Sequence, residues 1–317
     1  MTHAIELRNL RKIYRTTFRG NTLEALGGIS LEVARGEVFG LLGPNGAGKT
    51  TTVKILLDLT RATEGSAEIL GTPTSDPKSR AKVGYLPEGH KFPGYLTARQ
   101  TLSIFGRMSG MESSDVERRV MPLLEQLRIA EWADVRVKKF SKGMTQRLGI
   151  ASALIHEPEV LFLDEPTDGV DPVGRREIRD ILKDEAAKGR TIFLNSHLLS
   201  EIELMCDRTA ILRKGKIAAA GRIEDLTRAG STYKLKTRGM PDNFVDRLRE
   251  AGAGIESANG HLVLNVRDVE HLNELIDEMR ANGGLIEEVT PIKSTLEDVF
   301  VDLIKAADLD SAGEKLP

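Results

Sequence analysis

Gly43-Pro44-Asn45-Gly46-Ala47-Gly48-Lys49-Thr50 fits the phosphate-binding pattern G-x-x-x-x-G-K-[ST]. Glycines let the backbone curl so that consecutive N–H groups face phosphate oxygens. The positive end of the helix that follows faces the same anion. In this pattern Lys49 reaches the β- and γ-phosphates and the Thr50 hydroxyl sits on Mg²⁺. The flanks agree. Val38-Phe39-Gly40-Leu41-Leu42 is an apolar run that reads as a buried strand, and Thr51 to Leu57 carries apolar residues at helical spacing. Strand, loop and helix together imply that the chain binds a nucleoside triphosphate.

The 317 residues are enough for two domains. Lys plus Arg (45) nearly balances Asp plus Glu (47), and the net charge of −2 gives no electrostatic reason to expect nucleic acid as a partner. Cys206 is the only cysteine, so an intramolecular disulfide and a cysteine-based zinc site are excluded, in keeping with a reducing, cytosolic setting. No run approaches about 18 apolar residues, so no membrane span is expected. Met1 to Glu6 does not read as a signal peptide.

Strand and helix signals alternate, which implies an α/β sheet. Strands are expected at Ala4–Leu7, Ile29–Val33, Val160–Leu163 and Thr191–Leu194, and a hairpin at Thr209–Ala219 turning on Arg213-Lys214-Gly215. A basic segment runs from the first strand through Tyr14, and a loop through Arg15, Arg19, Gly20 and Asn21 follows. The stretch from about 88 to 158 is mostly helical, with Pro122 expected to interrupt or start a helix. The pattern restarts near 223: a strand at Tyr233–Lys236, a helix over Asp242–Ala251, a turn at Asn259-Gly260, a strand to Val266, a helix with Val269, Leu272, Leu275, Ile276 and Met279 on one face, and a strand at Leu285–Val289. That order is β-α-β-β-α-β, a ferredoxin-like α+β unit. A last helix is expected to open on a capping box of Ser294 and Glu297, and 309–317 form a polar tail.

The second chemical feature is Val160-Leu161-Phe162-Leu163-Asp164-Glu165-Pro166. Two carboxylates close a buried strand, at the end of a sheet where ligands bind in open α/β folds. Asp164 there can hold Mg²⁺ through water, and Glu165 can take a proton from an attacking water.

In motif order and spacing, roughly residues 4 to 220 resemble the ATP-binding subunit of ATP-binding cassette (ABC) transporters. Tyr14 matches the aromatic residue that stacks on adenine. Gly43 to Thr50, with Thr51, matches the Walker A loop. Phe140-Ser141-Lys142-Gly143-Met144-Thr145-Gln146-Arg147 stands where the signature L-S-G-G-Q belongs. Asp164 and Glu165 match the Walker B aspartate and the catalytic glutamate, Asp168-Gly169-Val170-Asp171 the D-loop, and His197 the switch histidine. The resemblance implies a P-loop NTPase of the ABC ATPase fold over residues 1–222, with a helical subdomain at about 88–158 and a C-terminal accessory domain at 223–308. Lys49, Glu165 and His197 would be catalytic. Tyr14, Gly43, Pro44, Asn45, Gly46, Ala47, Gly48, Lys49, Thr50, Thr51, Ser141, Gly143 and Asp171 would bind ATP. Thr50, Glu88 and Asp164 would hold Mg²⁺.

Two segments depart from the family pattern. Lys142 and Met144 replace Gly and Gln in the signature, while Ser141 and Gly143 remain. Tyr85-Leu86-Pro87-Glu88 resembles the Q-loop with Glu88 in place of glutamine, which adds negative charge beside the phosphates. These variants, and Ser294 to Phe300, resemble bacterial export-type ATPases. The resemblance implies a head-to-tail pair with a second copy or a homologous subunit. It also implies a separate transmembrane permease and a place on the cytoplasmic face of the membrane. Phe92, Tyr95 and Leu96 are candidates for the permease contact, with packing inside the helical insertion as the alternative. A soluble ATPase of the superfamily acting on DNA or ribosomes is the competing class, though the coiled-coil inserts, zinc cysteines or second cassette usual there are missing. A P-loop GTPase or kinase would leave the signature unexplained. The C-terminal unit could stabilise the dimer, bind a regulatory ligand or brace the permease, the first being the simplest.

Overall fold

The computed structural model describes residues 3–15, 22–227, 232–239, 254–258, 261–292, 295–301 and 303. The chain divides into two compact units, Met1–Ile223 and Glu224–Pro317. The first runs β1 (His3–Arg15), β2 (Thr22–Ala34), β3 (Val38–Leu42), α1 (Lys49–Leu56), β4 (Glu64–Ile69), β5 (Thr72–Pro73), β6 (Val83–Leu86), α2 (Ala98–Met108), α3 (Ser113–Gln126), α4 (Lys142–Leu154), β7 (Val160–Asp164), α5 (Pro172–Ala187), β8 (Thr191–Asn195), α6 (Leu199–Met205), β9 (Arg208–Arg213) and β10 (Lys216–Arg222). The helical turn α7 (Ile223–Leu226) follows.

The central sheet has the strand order β10-β9-β3-β8-β7-β6. Its pairs are parallel except the β9–β10 hairpin. Every residue of β3, β7 and β8 is buried, which is why these strands read as continuous apolar runs rather than alternating ones. Phe193 sits between Phe39 and Phe162, with ring centroids 5.7 and 5.3 Å away. Such stacked and tilted aromatic pairs add about 0.5–1.5 kcal/mol each beyond area burial. An antiparallel sheet, β2-β1-β4-β5, supplies the other wall of this core through Ile5, Leu7, Leu26, Leu31 and Ile69.

Two local expectations change. The first strand does not stop at Leu7, since β1 continues to Arg15 because both β2 and β4 pair with it. Asn9, at φ 46°, lies where the register shifts, so the alternation breaks while the pairing goes on. Pro122 neither starts nor ends a helix but lies inside α3. A proline there removes one backbone bond, and the helix persists because Val116, Val120, Leu123 and Leu124 bury one stripe.

Helices α2, α3 and α4 all lie between the adjacent parallel strands β6 and β7. The return of α4 to the sheet requires a close approach at Gly84 of β6, where a Cβ would stand 2.2 Å from the Ala153 carbonyl oxygen and 2.8 Å from Leu161 Cδ1.

The second unit contains β11 (Thr232–Arg238), β12 (Gly254–Ala258), β13 (His261–Asn265), α8 (Val269–Ala281) and β14 (Leu285–Pro291), with an antiparallel sheet in the order β12-β13-β11-β14. Leu272, Leu275, Ile276 and Met279 of α8 pack with Leu235, Leu262, Leu264 and Val266, whereas Val269, the first residue of the helix, is exposed. At the start of the final helical segment, Thr295 and Asp298 form a reciprocal capping pair. The Thr295 hydroxyl accepts from the Asp298 N–H at 3.2 Å, and the Asp298 carboxylate accepts from the Thr295 N–H at 2.8 Å. The expected helix over 242–251, the Asn259-Gly260 turn, Ser294, the 309–317 tail and the loop residues Arg19, Gly20 and Asn21 lie outside the described residues.

Gly84→Ala should cost about 1–3 kcal/mol, since the added methyl meets backbone rather than a movable side chain. Thermal or denaturant unfolding measures this, and unchanged stability would contradict the contact between α4 and β6.

Candidate functional site

The loop between β3 and α1 is shaped by its glycines. Gly43 has φ 151°, and a Cβ there would lie 2.3 Å from the Leu212 carbonyl oxygen. At Gly48, φ is 111° and the Ala25 carbonyl oxygen would be 2.6 Å away. No side chain caps α1, whose N-cap is Gly48. The first N–H groups of that helix are therefore left for an anion. Lys49 folds back and donates to the carbonyls of Gly43 at 2.6 Å and Pro44 at 3.3 Å. Burial lowers the pKa of its ammonium, while the charges of Glu165, Asp164 and Glu88 oppose the shift. Tyr14, Leu23, Glu24 and Ala25 line one cavity of about 220 Å³ with Asn45, Gly46, Ala47, Gly48, Lys49, Thr50 and Thr51. The aromatic candidate and the loop thus share a pocket. Lys12 Nζ stands 4.8 Å over the Tyr14 ring.

The carboxylates follow from strand register. Asp164 of β7 is paired with Asn195 of β8. Asn195 Nδ2 donates to Asp164 Oδ1 at 2.5 Å, and Asn195 Oδ1 is buried without a hydrogen bond. Glu165 then turns through the left-handed region, at φ 51°, while its N–H donates to the Asn195 carbonyl at 2.9 Å. That conformation is uncommon for a non-glycine residue and concentrates at functional sites. Glu165 Oε2 accepts from Ser196 Oγ at 3.0 Å. Its Oε1 accepts from the His197 backbone N–H at 2.8 Å and lies 2.7 Å from His197 Nδ1. The Glu165 side chain is buried and the imidazole is half exposed.

Asp164 is 4% exposed. Burial pushes its pKa up to about 6. The Asn195 hydrogen bond pulls the other way, and the charges of Glu88 and Glu165 add to the rise. Glu88 is itself exposed. Through space it also acts on Tyr85, whose phenol is pushed up to about 12 by burial, Asp164 and Glu88. The structure thus brings Lys49, Glu88, Asp164, Glu165 and His197 into one electrostatic neighbourhood.

Ser141, Gly143 and Asp171 form a different group. Ser141 caps α4, its Oγ accepting from the Met144 N–H at 3.2 Å. Asp171 caps α5, with Oδ1 accepting from the Gly174 N–H at 2.9 Å. A Cβ on Gly143 would stand 3.5 Å from Val170 Cγ1. The hydrogen bonds of Ser141 and Asp171 stay within their own helix starts and do not reach Gly43–Thr50. Gln146 and Ser196 are site residues that no motif role drew out. Gln146 Nε2 donates to the Glu165 carbonyl at 3.1 Å, so α4 holds the carboxylate turn from below. A polar residue one turn into an otherwise buried helical face was the only signal for it.

Residues 26–168 match the ABC transporter family. The chain is 36% identical to an ABC transporter ATP-binding protein of Synechocystis sp., covering 94% of this chain and 84% of that one. It is 39% identical to the Nod factor export ATP-binding protein I of Cupriavidus metallidurans, covering 96% of this chain and 98% of that one. Among solved structures, the ATP-binding subunit of an ABC transporter superposes with a TM-score of 0.63 at 32% identity, covering 71% of this chain and 92% of that one. A dimeric ATP-binding cassette bound to ADP and Pi superposes with a TM-score of 0.62 at 25% identity, covering 69% and 98%. A glycine loop beside Tyr14, a buried Asp-Glu pair at a parallel strand end and relatives matched along nearly their whole length lead to one conclusion: the chain belongs to the ABC transporter family as an ATP-binding, ATP-hydrolysing subunit.

Proposed function

We propose that this chain powers export through a separate membrane-spanning permease, by closing head to tail with a second copy or a homologous ATPase subunit around ATP. The observation that carries this reading is the division of the site. The loop Gly43–Thr50 and the Asp164-Glu165-His197 group lie together, while Ser141, Gly143 and Asp171 sit on two other helix starts. A second chain would bring its Ser141 and Gly143 to the γ-phosphate held by Lys49. Tyr14 would stack on adenine, and Thr51 would close the loop on the phosphates.

Glu165 is the group that polarises water. Its oxygens are fixed by Ser196 and by the backbone and ring of His197, and such pre-orientation is the main protein contribution in phosphoryl transfer. With Nδ1 directed at Glu165, the other face of the imidazole is left to meet the γ-phosphate. Mg²⁺, when bound, neutralises charge on the phosphates. Thr50, Asp164 and Glu88 fit it. Asp164 is a buried carboxyl beside two further acids, and Asn195 Oδ1 is an unpaired buried acceptor for a water on the ion.

Export is supported by relatives named for Nod factor export. Among the described residues no helix is long and apolar enough to cross a membrane, and the permease is assigned to another chain on the strength of relatives named as ATP-binding proteins. The subunit would then sit at the cytoplasmic face of the membrane. Tyr95, 73% exposed, is the free aromatic for that contact, since Phe92 is packed edge-on against His90 and Phe105. Nucleic acid is not part of the reading.

Glu165→Gln should lower ATP turnover by about 10²-fold or more and leave a dimer that persists with ATP on size-exclusion chromatography. Hydrolysis at the wild-type rate would contradict the assignment.

The raised Asp164 pKa gives a second test. In the folded chain without metal the carboxyl keeps a proton that the unfolded chain gives up at its ordinary 3.8. Its contribution to stability therefore falls as the pH rises from 3.8 towards about 6. Loading Mg²⁺–ATP at pH 5.5 should expel that proton, so calorimetry in two buffers should find roughly 0.7 more protons released by wild type than by Asp164→Asn. Equal release would remove Asp164 from the metal site.

A further inference from the structure

The first turn of α4 carries no acidic residue, and its first residue is Lys142. A cation there opposes the helix dipole, so local helix energetics do not explain it. Its partner lies 26 positions away. Lys142 Nζ donates to Asp168 Oδ2 at 2.7 Å, and this hydrogen bond is the main reason the Asp168 carboxyl is held below its ordinary range. The lysine stem lies across Gly169. A Cβ at Gly169 would stand 2.0 Å from Lys142 Nζ and 2.4 Å from both Cδ and Cε, and the residue has φ 63°. Beneath this, Val170 faces Gly143 and Gly174, and Arg175 Nε donates to the Val170 carbonyl at 2.8 Å.

We propose that Lys142 is a positioning residue that fastens the segment beginning at Ser141 to the segment 168–171, so that both reach a second chain's nucleotide as one rigid edge. This rests on the head-to-tail reading above, in which Ser141, Gly143 and Asp171 serve the partner's site. The lysine that departs from the family's glycine thus joins two helix starts that backbone bonding leaves separate. Asp168 neutralises it, and Gly169 leaves the space it needs. Both side chains are about half exposed, at 60% for Lys142 and 54% for Asp168, so the tie is screened by salt and tunes the reaction rather than enabling it.

The experiment compares wild type, Lys142→Ala, Asp168→Ala, the double alanine variant and the exchange Lys142→Asp with Asp168→Lys. Each full-length chain is assayed for Mg²⁺–ATP hydrolysis at low and high salt. Each single alanine should lower kcat about two- to fivefold at low salt, the range an exposed ion pair supplies, with KM nearly unchanged. The double variant should lose no more than either single one, the exchange should recover most of the rate, and the deficits should shrink at high salt. Additive losses, or an exchange that restores nothing, would overturn the proposal. A loss in KM alone would do the same, since it would place Lys142 in nucleotide binding. Wild type that hydrolyses ATP fully as a monomer would instead strike the head-to-tail reading, so the two failures are distinguishable.

Discussion

The parallel register of β7 and β8 is the constraint on which the site depends. Asp164 stands opposite Asn195, so the residues that follow each strand leave the sheet side by side. Glu165 finds Ser196 and His197 within reach only because both strands stop at the same level, and its left-handed turn is held by the Asn195 carbonyl on one side and Gln146 on the other. A slip of one residue would turn every side chain of the strand to the opposite face of the sheet and separate the carboxylate from the histidine. The buried aromatic trio Phe39, Phe162 and Phe193 lies on β3, β7 and β8, so core packing and the placement of the carboxylates are secured by the same strands.

The same burial creates a charge imbalance. Asp164, Glu165 and Glu88 gather near one ammonium, Lys49. Burial, with the charges of Glu88 and Glu165, pushes the Asp164 carboxyl up to about 6, and Lys49 donates to the carbonyls of its own loop. In the proposed reading, a triphosphate with a divalent metal would answer both: the phosphates would draw the ammonium forward, and the metal would relieve the repulsion among the acids.

Features set by near neighbours in the chain were legible in the sequence. Gly43 to Thr50 and Asp164-Glu165 stand out as local motifs, and the apolar runs of β3, β7 and β8 read as buried strands of an α/β sheet. Features set by distant pairing were not. The length of β1 comes from partners at Thr22–Ala34 and Glu64–Ile69. The survival of α3 through Pro122 comes from its buried stripe. The bond from Gln146 to Glu165 and the Lys142–Asp168 tie join residues 19 and 26 positions apart, which no local periodicity marks.

In the proposed head-to-tail pair the working site is composite, with Lys49 of one chain and Ser141 of the other acting on one ATP. Mixing Lys49→Ala with Ser141→Arg, each inactive alone, tests it most directly. In a head-to-tail pair the mixed dimer holds one site with both defects and one with neither, so activity should return to about a quarter of wild type after random exchange. A mixture no more active than its separate components would place both residues in the same chain's site and contradict the account.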